Sequence, residues 1–140
     1  MEDNQTDTKE ILTPQTQKAK KFILVAEDDR FYSNIYKTKL SKEGYEVEVA
    51  NNGDQALKIA KEKTPDLILL DLIMPNKDGF ELLKELREDN NLKKVKIIIL
   101  SNLGQEEDIK RVRVYGVVDY LVKTNISIHT VIDKIKEHLV

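Results

Sequence analysis

From Lys21 onward, short apolar runs alternate five times with segments of helical periodicity. Phe22 to Ala26 is apolar without a break, as in a strand covered on both faces. Tyr45 to Val49 alternates, with Tyr45, Val47 and Val49 on one side. Leu67 to Leu70 and Ile97 to Leu100 are apolar throughout, and Val117 to Val122 is the fifth run. Their short length and β-branching predict strands rather than buried helices. Between them, Phe31 with Ile35, and Tyr32 with Tyr36 and Leu40, recur at helical spacing before Gly44. Asn52-Gly53 opens a second helix with Ala56, Leu57, Ile59 and Ala60 inward. Phe80, Leu82, Leu83 and Leu86 mark the third, and Ile109, Val112 and Tyr115 the fourth, stopped by Gly116. The clearest amphipathic stripe is the last: Ile128, Val131, Ile132, Ile135 and Leu139.

Five strand–helix units predict an α/β fold, a parallel sheet with helices on both faces. Right-handed crossovers leave few topologies, and at this size the common one is the flavodoxin-like doubly wound sandwich, (βα)5, of strand order 2-1-3-4-5. In such sheets ligands bind beyond the carboxyl ends of the strands, where strands 1 and 3 meet.

Residues 1–20 are rich in Thr, Gln and charge, with Ile11-Leu12 as their one apolar pair. They predict a flexible polar tail ahead of one domain at 21–140. The chain has no cysteine, which excludes a disulfide framework and a thiolate metal site and points to a cytoplasmic setting. There is no apolar run of membrane-spanning length, so no membrane association is expected. Lys and Arg number 23 against 25 Asp and Glu, so bulk charge gives no reason to expect nucleic-acid binding.

The strand ends carry the chemistry. The first strand ends in Glu27-Asp28-Asp29, the third in Asp71, the fourth in Ser101, and Lys123 follows the fifth. The predicted strand order brings Asp71 beside the acids of the first strand. Carboxylates crowded in one concavity repel, and a hard divalent cation relieves the repulsion. The cluster therefore reads as a Mg²⁺ site completed by a phosphoryl group. Asp71 suits the nucleophile that forms an aspartyl phosphate. Lys123 supplies a compact cation, and Ser101 a hydroxyl donor to a phosphoryl oxygen. Taken singly, each residue has a plainer role: Asp28 or Asp29 as a helix cap, Lys123 as a surface lysine, Ser101 as a turn residue. Their meeting at one rim with complementary chemistry favours the joint reading.

With these residues in hand, residues 21–139 resemble the receiver domains of two-component response regulators, of the stand-alone chemotaxis type or as part of a longer regulator. ILVAEDD resembles the family's first strand and acidic pair, here Glu27 and Asp28. LILLDLIMPNKDGFELL resembles the phosphoacceptor segment, with Asp71 as acceptor and the Ile73 backbone carbonyl as a further metal ligand. IIILSNLG puts Ser101 in the switch hydroxyl position. DYLVK puts Tyr120 in the switch aromatic position and Lys123 in that of the phosphoryl-binding lysine.

The resemblance implies a signalling switch rather than an enzyme. Asp71 would take a phosphoryl group from a histidine kinase, a histidine phosphotransfer protein or a small phosphodonor, with Mg²⁺ or Mn²⁺. The helix 4, strand 5 and helix 5 surface would then change for a downstream protein, in a monomer or a phosphorylation-dependent dimer. Two positions depart from the pattern. Thr124 stands where the family usually has a cis proline; a cis bond without proline costs about 3 kcal/mol, so a different loop geometry is expected. Asn102 stands where a small residue is usual and is expected to crowd the phosphoryl site. Ile73 and Leu103 flank the path of the hydrolytic water; both are apolar and neither orients a water, which implies slow self-dephosphorylation. Two other classes compete: a receiver fold that signals by binding alone, and a hydrolase with an aspartyl-phosphate intermediate. Asp71-Leu72-Ile73 lacks the second acid such hydrolases carry. His129 and His138 on the last helix are expected to be inert surface residues.

Overall fold

A computed structural model describes residues 19–140. Its strands are β1 (Phe22–Ala26), β2 (Glu46–Ala50), β3 (Leu67–Leu70), β4 (Lys96–Ser101) and β5 (Asp119–Val122). Its helices are α1 (Arg30–Lys42), α2 (Gly53–Glu62), α3 (Gly79–Glu88), α4 (Glu106–Arg113) and α5 (Ile128–His138). A short 3-10 turn, Lys123–Asn125, joins β5 to α5. All strand pairs are parallel, and the sheet order is β2-β1-β3-β4-β5, the order expected.

The unbroken apolar run of β1 follows from its central place in this sheet. Phe22, Leu24 and Ala26 face the core shared with α2, α3 and α4. Ile23 and Val25 face the core shared with α1 and α5. Every residue of β1 and β3 is buried. Edge strand β2 buries only Ala50, which explains its alternating sequence.

Several expectations shift. β2 runs one residue later than Tyr45 to Val49, and β5 begins at Asp119 because its register starts opposite Ile98. Phe31, read as part of the inward face of α1, is 65% exposed. It occupies the first turn of the helix, and the buried stripe runs through Ser33, Tyr36 and Leu40 instead. On α4 only Val112 is buried, and Tyr115 lies beyond the helix end. Of the tail expected over residues 1–20, residues 1–18 lie outside the described residues. Among the described residues no helix is long and apolar enough to cross a membrane.

Two glycines set the loop that carries the site. A Cβ on Gly79 would stand 2.5 Å from the Asp71 carbonyl oxygen, so only glycine lets α3 start against that backbone. A Cβ on Gly53 would stand 2.1 Å from the Lys77 carbonyl, whose oxygen accepts the Gly53 amide. The loop between β3 and α3 is thereby held from both sides.

Candidate functional site

The parallel ladders continue one residue past β1 and β3. The Glu27 amide donates to Ala50 O and the Asp71 amide to Ala26 O, each at 3.0 Å. These bonds fix two acidic side chains side by side at the carboxyl rim of the sheet. Glu27 and Asp71 are buried while Asp28 is exposed. One carboxylate oxygen from each of the three lies within 4.8 Å of the others.

Lys123 enters this cluster from the far end of the sheet. Its Nζ lies 2.5 Å from Glu27 Oε1 and 2.9 Å from Asp71 Oδ2. Asp71 Oδ1 accepts the Ile73 amide at 3.2 Å, and Glu27 Oε2 accepts the Asp29 amide at 3.0 Å. Burial pushes the Glu27 carboxyl up to about 7, against the Lys123 ammonium and the Asp29 amide, which favour its ionised form. Burial alone would lower Lys123; the hydrogen bonds to Glu27 and Asp71 outweigh it and hold the ammonium above its ordinary value.

Ser101 closes the side toward β4 and is fully buried. Its Oγ accepts the Leu103 amide at 3.3 Å. The Tyr120 hydroxyl donates to the Leu103 carbonyl. The backbone of Leu103 thus links the hydroxyl at the end of β4 to the half-buried ring on β5. Burial pushes the Tyr120 phenol up to about 12, with Asp108 and Asp71 adding to it.

A family model of the response regulator receiver domain matches residues 23–136. The chain belongs to the response-regulator receiver family. A curated relative, the polar-differentiation response regulator DivK of Brucella anthropi, is 32% identical over 119 residues, covering 85% of this chain and 96% of that protein. Among solved structures, the chemotaxis protein CheY4 of Vibrio cholerae superimposes with a TM-score of 0.79 at 28% identity, over 85% of this chain and 98% of that one. The receiver domain of the sensor histidine kinase PA1611 from Pseudomonas aeruginosa, whose active-site cleft coordinates a magnesium ion, gives a TM-score of 0.76 at 28% identity, over 85% of this chain and 97% of that one.

In this receiver the rim brings together Glu27, Asp28, Asp71 and Lys123, while Ser101 and Tyr120 meet through Leu103. Asp29 turns away from the cluster: its side chain accepts the Phe31 amide at 2.9 Å and caps α1. The Ile73 side chain is 55% exposed at the mouth of the site. Asn102 is exposed, next to the buried Ser101. Lys123–Asn125 turns with no cis peptide among the described residues. The histidines lie on α5 beside acids, His129 3.3 Å from Asp133 and His138 3.5 Å from Asp119.

Two participants escaped the sequence reading. The Leu103 backbone had no signal of its own, because main-chain bridging is invisible in residue type. Tyr32 read as core, yet its ring lies 4.5 Å from the Lys123 ammonium.

Proposed function

We propose that this receiver is a phosphorylation-activated switch in which Asp71 is the phosphoacceptor. The observation that carries the reading is the convergence of three carboxylates and one ammonium on the β1–β3 rim. An oxygen of the Asp71 carboxylate attacks phosphorus, the bond from phosphorus to the donor breaks, and the donor leaves with that electron pair. The donor is a phosphohistidine of a histidine kinase or phosphotransfer protein, or a small acyl phosphate. Lys123 exchanges a carboxylate for a phosphoryl oxygen and neutralises it.

The donor set suits a hard divalent ion, because Glu27, Asp28 and Asp71 offer closely spaced carboxylate oxygens and no softer ligand. Those three with the Ile73 carbonyl would hold Mg²⁺ or Mn²⁺. When bound, the ion supplies positive charge against the phosphoryl oxygens.

Ser101 then donates its hydroxyl proton to a phosphoryl oxygen. That movement releases the Leu103 amide it now accepts, and the same residue's carbonyl holds Tyr120. Rearrangement of Leu103 thus reaches β5 and the neighbouring α4, changing the α4–β5–α5 surface that a downstream protein reads. The exposed apolar Ile73 and half-buried Leu103 flank the site and offer no group to orient a water, so the phosphorylated state is long-lived. A shorter phosphoryl half-life in the Ile73→Asn, Leu103→Glu double variant is the expected outcome.

Intact mass after incubation with Mg²⁺ and acetyl phosphate tests the main reading. A phosphate-sized gain that requires both Mg²⁺ and Asp71, and is lost in Asp71→Asn, is expected. No gain with acetyl phosphate, beryllofluoride or a phosphohistidine donor would leave a module that signals by binding alone.

A further inference from the structure

Lys123 is held on three sides. Two are the carboxylates of Glu27 and Asp71, at 2.5 Å and 2.9 Å. The third is the face of the Tyr32 ring, whose centroid lies 4.5 Å from Nζ. An ammonium has three N–H donors, and an aromatic face is an electrostatic partner for a cation that lacks a third acceptor. The Lys123 side chain is only 5% exposed, so water has little access to it.

The ring is itself held in place. It stacks on Tyr36 with centroids 6.4 Å apart and planes 15° from parallel, and it meets Phe31 edge-on at 5.4 Å. Tyr36 is 2% exposed and anchors the pair in the core beneath α1. The helix start is tied to the same acidic group, because Asp29 caps α1 with its side chain while its amide donates to Glu27 Oε2. Tyr32 and Glu27 therefore reach Lys123 from one rigid unit.

We propose that Tyr32 is a positioning residue for Lys123, whose ring face keeps the ammonium inside the pocket while it exchanges a carboxylate for a phosphoryl oxygen. This rests on the reading of Asp71 and Lys123 as the phosphoryl site. The physical point is selectivity among partners. A third carboxylate would hold Lys123 too firmly and compete with the phosphoryl group. A ring face attracts a cation without directional bonds, so Nζ can shift along it and stay dry. An aliphatic side chain in its place would offer no such attraction and would leave the ammonium free to turn toward solvent.

Two binding measurements on the full-length chain separate this from a merely structural role. Mg²⁺ alone is titrated by calorimetry, and beryllofluoride, a phosphoryl mimic, is titrated at saturating Mg²⁺. Wild type, Tyr32→Phe and Tyr32→Leu are compared. Loss of the ring frees Glu27 and Asp71 from Lys123, so Tyr32→Leu is expected to bind Mg²⁺ as tightly as wild type or more tightly. The same variant is expected to bind beryllofluoride at least fivefold more weakly. Tyr32→Phe keeps the ring face and is expected to stay within twofold of wild type in both.

The proposal is overturned if Tyr32→Leu binds beryllofluoride like wild type, or if Tyr32→Phe falls as far as Tyr32→Leu. It is also overturned if Tyr32→Leu loses both ligands together, which marks general damage to α1. Failure of the wild-type chain to bind beryllofluoride with Mg²⁺ would overturn the phosphoryl-site reading, and this inference with it.

Discussion

The two helices nearest the end of the sheet, α4 and α5, are anchored by different physics. α5 buries Val131, Ile132 and Ile135, with Leu139 just beyond, and Ser127 caps its first turn by accepting the Thr130 amide at 3.1 Å. Each such side chain stabilises the packed state by about 2 kcal/mol. α4 buries Val112 alone, and Gln105 at its N-cap makes no side-chain hydrogen bond. What ties α4 down is polar. Arg111 lies over the Phe80 ring at 3.8 Å. Arg87 on α3 donates to the carbonyls of Tyr115 and Gly116, just past the end of α4, and to those of Leu92, Lys93 and Val95 before β4. Burial is lost only by unpacking, whereas polar contacts can be exchanged one for another. The contrast leaves α4 with fewer apolar side chains to unpack than α5 if it is to shift.

The comparison is broken most directly by emptying each helix in turn. Ile135→Ala should cost about 3 kcal/mol in urea unfolding, since it leaves a cavity in a sealed core. Ile109→Ala on α4 should cost less than about 1 kcal/mol, because that side chain is only half-buried. Equal costs would end the distinction.

Arg87→Ala comes next, at about 2 kcal/mol, because it strips donors from carbonyls at the junction of α3, β4 and β5. Hydrogen exchange should quicken around Tyr115 and Gly116 while α5 is unchanged. Arg111→Ala should cost about 1 kcal/mol and loosen α4 alone. If α4 is the responding element, that variant also gains a phosphoryl group from acetyl phosphate faster than wild type, as followed by intact mass. The smallest effect belongs to Tyr120→Phe. Removing its hydrogen bond to the Leu103 carbonyl should cost about 0.5–1 kcal/mol. It should also weaken the difference in α4 exchange between the free and beryllofluoride-bound states. A larger loss in α5 than in α4 would contradict the coupling through Leu103.

Much of this was legible in advance because the signals were local. Unbroken apolar runs at Phe22–Ala26 and Leu67–Leu70 read as strands covered on both faces, and they are buried residue by residue. Glu27 and Asp71 stood at the ends of strands that the predicted order makes neighbours, and Lys123, at the end of the edge strand, reaches them with its long side chain. The misreadings came from positions where neighbours in space decide. Phe31 has the spacing of a core residue but is exposed in the first turn of α1, against the edge of Tyr32. Arg87 drew no reading from the sequence, since residue type alone does not show that it gathers carbonyls from two loops; desolvation lowers its affinity for its proton.

Taken by itself, the sequence determined the alternation of strands and helices, the parallel sheet and the set of acids and one lysine at its rim. Those follow from periodicity and from residue type at element ends, which act over a few positions. Only the tertiary structure decided that Tyr32 faces Lys123, that Leu103 joins Ser101 to Tyr120, and that arginines add to the single buried side chain of α4. These depend on contacts between residues up to 91 positions apart (Tyr32 and Lys123), whose distances are set by packing and leave no periodic trace in the chain.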